Sequence, residues 1–83
     1  MTKILIKLDS CHFTDDQNQW CYDNMIALEW PLPFLPRREE HFYCETMIDN
    51  MPDFCPYLSW SVYFINYEKI DGVITPVLWL KGE

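Results

Sequence analysis

Apolar and polar residues alternate near both ends of the chain, and that rhythm sets the first expectations. From Thr2 to Leu8, Ile4, Ile6 and Leu8 fall on one side and Lys3, Leu5 and Lys7 on the other. A period of two marks a half-buried strand, and the lysines suit the edge of a sheet. Two further runs, Leu58 to Tyr67 and Val73 to Leu80, are rich in aromatic and β-branched residues and lie on either side of Asp71-Gly72. Asp and Gly tolerate the positive φ angles of a type I′ turn, so these runs predict a β-hairpin. A two-residue turn pairs Ile70 with Val73, Ile65 with Leu78 and Tyr63 with Leu80, and sets Phe64 opposite Trp79 on the second face. Both faces are apolar near the middle, which predicts a central place in the sheet. Pro76 has no N–H for the ladder and must turn that side away from it or sit at a bulge.

The middle of the chain is less regular. Asp9 to Asp23 is polar and rich in turn formers, and reads as a surface loop held by Phe13 and Trp20. Asn24 to Trp30 reads as a second strand with Ile26, Leu28 and Trp30 on one face. Pro31, Pro33 and Pro36 exclude a helix or a central strand from the next six residues, leaving a crossover or edge segment. Arg37 to Glu40 is a polar turn and His41 to Cys44 a short third strand. Glu45 to Met51 reads as one or two helical turns with Met47, Ile48 and Met51 on one face, ended by Pro52. Asp53 to Tyr57 is a connection. The sum is a mostly-β fold: a five-stranded antiparallel small barrel, or a curled sheet, with one short helix. The predicted core is Ile4, Ile6, Ile26, Leu28, Phe42, Ile48, Trp60, Val62, Phe64, Val77 and Trp79.

Eighty-three residues make a single domain spanning 1–83. A chain this short buries only about 60% of its unfolded surface, so the core is thin. The 17% aromatic content compensates, and it excludes an intrinsically disordered chain. The net charge of −7 repels phosphate backbones and anionic lipid. That excludes direct nucleic-acid or membrane binding and suits a protein partner with a basic surface; a homo-oligomer stays open. No secretory leader and no run of about 20 apolar residues is seen, so a cytoplasmic location is expected.

Leu32-Pro-Phe-Leu-Pro-Arg37, followed by a charged turn and a short strand, resembles the strand-entry segment of small SH3-like barrel domains of bacteria. In those domains a Leu-Pro-x-x-Pro-Arg-x-Gly-Asp stretch precedes a Val-x-x-Val strand and a closing strand. Trp60 to Ile65 and Val77 to Leu80 would take those places here. Arg38-Glu39-Glu40 stands where the family has Gly-Asp. The resemblance covers about half of the chain and implies an SH3-like barrel, without implying an activity.

Candidate chemistry is sparse. Cys11, His12, Cys21, His41 and Cys44 are donors of the type zinc takes, with Cys55 as a further thiol, but no Cys-x₂₋₄-Cys pair occurs. Buried thiols are the simpler reading, and no metal or cofactor is expected. Cys11 beside His12 lacks the flanking signature of a cysteine nucleophile. Two glycines cannot build a phosphate-cradling loop. Pro33-Phe-Leu-Pro36 with Arg37 and Arg38 has the form of a polyproline II ligand, yet in a small barrel the same residues serve as a crossover.

With no catalytic residues singled out, the leading expectation is a non-catalytic protein-binding module. Trp20, Tyr22, Trp30 and Phe34 are its interface candidates, because Trp and Tyr dominate interface energetics. Asp15, Asp16, Glu39 and Glu40 come from two stretches, 9–23 and 39–53, that carry four and five carboxylates and no Lys or Arg. If those stretches share a face, the alternative is an acidic inhibitor that imitates DNA, of the kind phages and mobile elements carry. A small Cys/His metal-binding protein is the third reading.

Overall fold

The computed structural model describes residues 2–49, 51–52 and 59–83, and it is a curled, five-stranded, mostly-β sheet with a small amount of helix. The predicted Asp53 to Tyr57 connection, Leu58 at the start of the hairpin, and Cys55 lie outside the described residues. Asp71 (φ 50°) and Gly72 (φ 80°) both take left-handed backbone, as a type I′ turn requires. They join β4 (Trp60–Ile70) to β5 (Val73–Gly82). The predicted pairs Ile70–Val73, Ile65–Leu78 and Phe64–Trp79 are present. Tyr63–Leu80 is not: the register slips between Val62 and Phe64, and Val62 pairs with Leu80. The extra residue has a physical reason. In an unbroken ladder Trp60 and Val62 would share a face with Phe64; the bulge at Tyr63 turns both inward instead, beside Ile65.

β1 (Thr2–Ser10) pairs antiparallel with β2 (Ile26–Trp30) and parallel with β5, and β3 (His41–Phe42) pairs with β4. The order is β2-β1-β5-β4-β3. Two expectations are corrected here. The sheet is mixed, because β1 and β5 run parallel. And β1 is interior, not an edge: Leu5 and Lys7 on its second face are buried like Ile4, Ile6 and Leu8 on its first. Pro76 lies opposite Tyr67, where the alternation set by the turn gives a pair without mutual hydrogen bonds, and the β1 ladder starts only at Val77. Its missing donor therefore faces away from the ladder.

The predicted loop at 9–23 is in fact largely a helix, α1 (Asp15–Asp23). Thr14 Oγ1 accepts from the Gln17 N–H, the Gln17 side chain accepts from the Thr14 N–H, and Asp15 and Asp16 stand in the first turn where the dipole favours them. Asn18 then holds α1 to the end of β1, accepting from the Ser10 N–H (3.3 Å) and donating to the Ser10 carbonyl (3.2 Å). The predicted third strand shortens to two residues, and the predicted 45–51 helix is one turn, α2 (Cys44–Met47).

One cluster forms the core: Ile4, Ile6 and Leu8 from β1, Leu78 and Leu80 from β5, Trp60 and Val62 from β4, Phe42, Trp30 and Ile48, with Phe13 and the buried helix residues Cys21 and Cys44. Ile26 and Leu28 pack against it partly exposed. Val77 is buried but belongs to the opposite face, with Leu5 beside it. Phe64 and Trp79, expected in the core, also lie on that opposite, open face.

Candidate functional site

The open face has Trp79 at its centre. Alternation and register bring the neighbours: Lys7 is Trp79's partner on β1 and Phe64 its partner on β4. The bulge adds Tyr63, so two consecutive residues of one strand reach the same indole, which a regular pleat forbids. Tyr63 and Phe64 meet it edge-on, with ring centroids 6.4 and 6.2 Å away. From α1, Tyr22 closes the other side at 5.7 Å. The indole N–H donates to Asn66 Oδ1 at 2.9 Å, which fixes the ring. Each aromatic pair contributes about 0.5–1.5 kcal/mol beyond its burial.

Lys7 runs under these rings. Only 7% of it is exposed, and its Nζ lies 4.0 Å from the Tyr22 ring centroid and 4.7 Å from that of Trp79. The ring faces supply the negative potential an ammonium needs. Beside it is a cleft of about 370 Å³ lined by Lys7, Asp9, Asp15, Gln19, Tyr22 and Trp79. The strand residues of this face carry three cations, Lys3, Lys7 and Lys81, against three carboxylates, Asp9, Glu29 and Glu68. The rest of the chain holds ten acidic residues and three basic ones, from thirteen and six in all. The strands of the aromatic face are thus charge-balanced within an acidic protein, and Asp15 of α1 adds one carboxylate beside them.

Burial, reinforced by the Asp9 carboxylate, raises the pKa of the Tyr63 phenol. A raised folded-state value means that Tyr63 favours the fold below the ordinary tyrosine pKa of about 10, and that this contribution fades as pH rises through the folded value. Spectrophotometric titration is expected to show a phenol ionising above the ordinary tyrosine range, and Tyr63→Phe to remove it. A Tyr63→Phe curve identical to wild type would refute the assignment.

The residues singled out from sequence are dispersed. Tyr22 joins the cluster and is 53% exposed, and Asp15 lines the cleft. Asp16 and Trp20 are exposed elsewhere on α1. Phe34 projects from the proline segment, while Trp30 is buried, stacked on Phe42 at 5.9 Å and donating through Nε1 to the Phe34 carbonyl at 2.7 Å. Glu39 and Glu40 are exposed in the polar turn, where a Glu40 carboxylate oxygen accepts from the Arg37 N–H. Cys11, His12 and His41 are exposed, Cys21 and Cys44 buried, and no group of three His, Cys, Asp or Glu among the described residues could hold a metal ion. Lys7, Tyr63, Phe64, Asn66 and Trp79 were not marked as site residues by sequence. The Phe64–Trp79 pairing was the available signal.

These features define a small, mostly-β, barrel-like fold with an aromatic cluster on the face opposite its core. Among the described residues no helix is long and apolar enough to cross a membrane. Comparison with family models, curated proteins and solved structures finds no match.

Proposed function

We propose that the protein is a non-catalytic binding module that docks another protein on its open face. One observation carries this reading: Trp79 is ringed by Tyr22, Tyr63 and Phe64 beside the Lys7 cleft, with Tyr22 and Phe64 about half exposed. Aromatic anchors in a rigid patch of nearly balanced charge are what an interface core is made of. The acidic residues around it favour a partner whose rim is basic, and would speed encounter with it. The DNA-mimic alternative asks for a row of carboxylates. The acidic residues come from α1, the 37–40 turn, α2, β2 and the hairpin tip, and competition with DNA for a basic partner tests that alternative.

The test is partner capture from a cell extract with matched surface variants. Tyr22→Ser with Phe64→Ser is expected to lower recovery of the captured protein by about tenfold or more, since hot-spot truncations cost at least about 2 kcal/mol. Trp20→Ser with Phe34→Ser is expected to leave recovery unchanged. The reverse pattern would move the interface off this face.

A further inference from the structure

The outer edge of β4 beyond the bulge is built to pair. The two-residue turn makes Ile70–Val73, Glu68–Thr75 and Asn66–Val77 the hydrogen-bonded pairs with β5. Ile65, Tyr67 and Lys69 therefore turn their N–H and C=O groups outward. Two observations support that phase. Pro76, which has no N–H, lies opposite Tyr67. Past the bulge, Val62 does hydrogen-bond on the outer side, to Glu39 (2.6 Å) and Glu40 (2.9 Å). The polar turn covers the edge only that far, and β3 pairs with Trp60 and Ser61 alone. Among the described residues nothing pairs with the outward groups of Ile65, Tyr67 and Lys69.

Natural sheets blunt such edges with charge, proline or a covering element. This one carries exposed Phe64 and Tyr67, the latter 62% exposed, and one charge of each sign, Glu68 and Lys69. Residues 59–70 are neutral in a chain of net charge −7, with Glu39, Glu40 and Asp71 flanking the stretch, so the paired segment itself adds no net repulsion between two copies.

We infer that β4 pairs with β4 of a second copy, antiparallel about a two-fold axis at Tyr67. The register follows by elimination. An axis at Glu68 or Lys69 sets like charges against each other. An axis at Ile65 or Asn66 drives the partner strand into the Tyr63 bulge and the turn that already occupies Val62. The axis at Tyr67 alone leaves residues 64–70 free to pair, with Ile65 opposite Lys69, Asn66 opposite Glu68 and Phe64 opposite Ile70. The interface is isologous. It joins two sheets into one of ten strands and sets the two open faces side by side, whatever partner each face takes.

Cysteine scanning tests it in a chain carrying Cys11→Ser and Cys55→Ser. At the axis residue 67 faces itself, with Cα atoms about 5.5 Å apart, within the span of a disulfide. Tyr67→Cys is expected to oxidise to a covalent dimer, whereas Ile65→Cys and Lys69→Cys, each facing a different residue, are not. Sedimentation adds a second reading. Tyr67→Pro removes an outward donor and no β5 bond, so it is expected to raise the dimer dissociation constant about tenfold or more. A wild-type chain that stays monomeric at every concentration overturns the inference. So does preferential cross-linking through Lys69→Cys, or a folded Tyr67→Pro chain that dimerises undiminished. Should Tyr67→Pro fail to fold, the cysteine series decides.

Discussion

Trp60→Ala is expected to be the most damaging single substitution in the chain, costing about 3–5 kcal/mol. Trp60 is 1% exposed. It is set against Phe42 on one side and Gly82 on the other, and its ring meets that of Phe13 at 6.0 Å and 51°. Removing the indole strips Phe13, in the segment that leads into α1, of its ring contact and leaves a cavity in the core cluster that Trp60 shares with Phe42, Val62 and Leu80. A domain of this size has total stability toward the lower end of the usual range of about 5–15 kcal/mol. The loss is thus comparable to the whole, and the variant is expected to lack a cooperative urea transition and near-ultraviolet circular dichroism. Trp60→Phe fills most of the volume and should keep both. A Trp60→Ala chain within about 1 kcal/mol of wild type would show that the core does not close around this residue.

That Trp60 faces inward was readable only in part. The hairpin was legible because its information is local. Asp71-Gly72 dictates the turn, and the turn dictates the register out to Phe64. Beyond that the ladder obeys the core. Trp60, Val62 and Phe64 are all apolar, and periodicity alone cannot say that the first two should point one way and the third the other. The bulge at Tyr63 is a tertiary solution to that conflict. The interior place of β1 was hidden for a related reason: its parallel partner β5 is the last strand, some 70 residues away, and no local signal announces the pairing. The helix α1 was a different kind of miss. Thr14-Asp15-Asp16-Gln17 spells a capping box, but the segment buries little apolar surface and its polarity suggested a loop.

The candidate site shows the same division. Tyr22 stood out as an aromatic residue in a polar stretch and does reach the cluster. Phe64 and Trp79 were paired correctly and placed on the second face but counted in the core, because a hairpin apolar on both sides gives no sign of which side the core will occupy. Trp30 looked like a surface anchor beside a proline segment, but its N–H is satisfied by the Phe34 carbonyl and its ring lies in the core. Lys7 was invisible: lysine at an alternating position reads as solvent-facing, and only the fold places two aromatic rings over it.

Lys7→Glu follows from that last placement and is expected to cost about 2–4 kcal/mol. The side chain is almost entirely enclosed, with its ammonium against the faces of Tyr22 and Trp79. A carboxylate there meets the negative ring faces instead of being drawn to them, and loses most of its hydration. It also joins Asp9 and Asp15 around the same cleft, adding like-charge repulsion. Lys7→Met keeps the apolar stem that does the packing and removes the charge, so its cost should stay below about 1.5 kcal/mol. The difference between the two variants has a pH signature. Burial and the neighbouring carboxylates would raise the folded-state pKa of the introduced glutamate above its unfolded value. The protonated form then suits the fold, so the penalty is small below the unfolded pKa and grows as pH rises through the folded one. Urea melts of Lys7→Glu are expected to approach those of Lys7→Met in acid and to fall behind near neutrality. Equal stability of the two variants at neutral pH would mean that the position is solvated, and that the rings of Tyr22 and Trp79 do not enclose the lysine in solution.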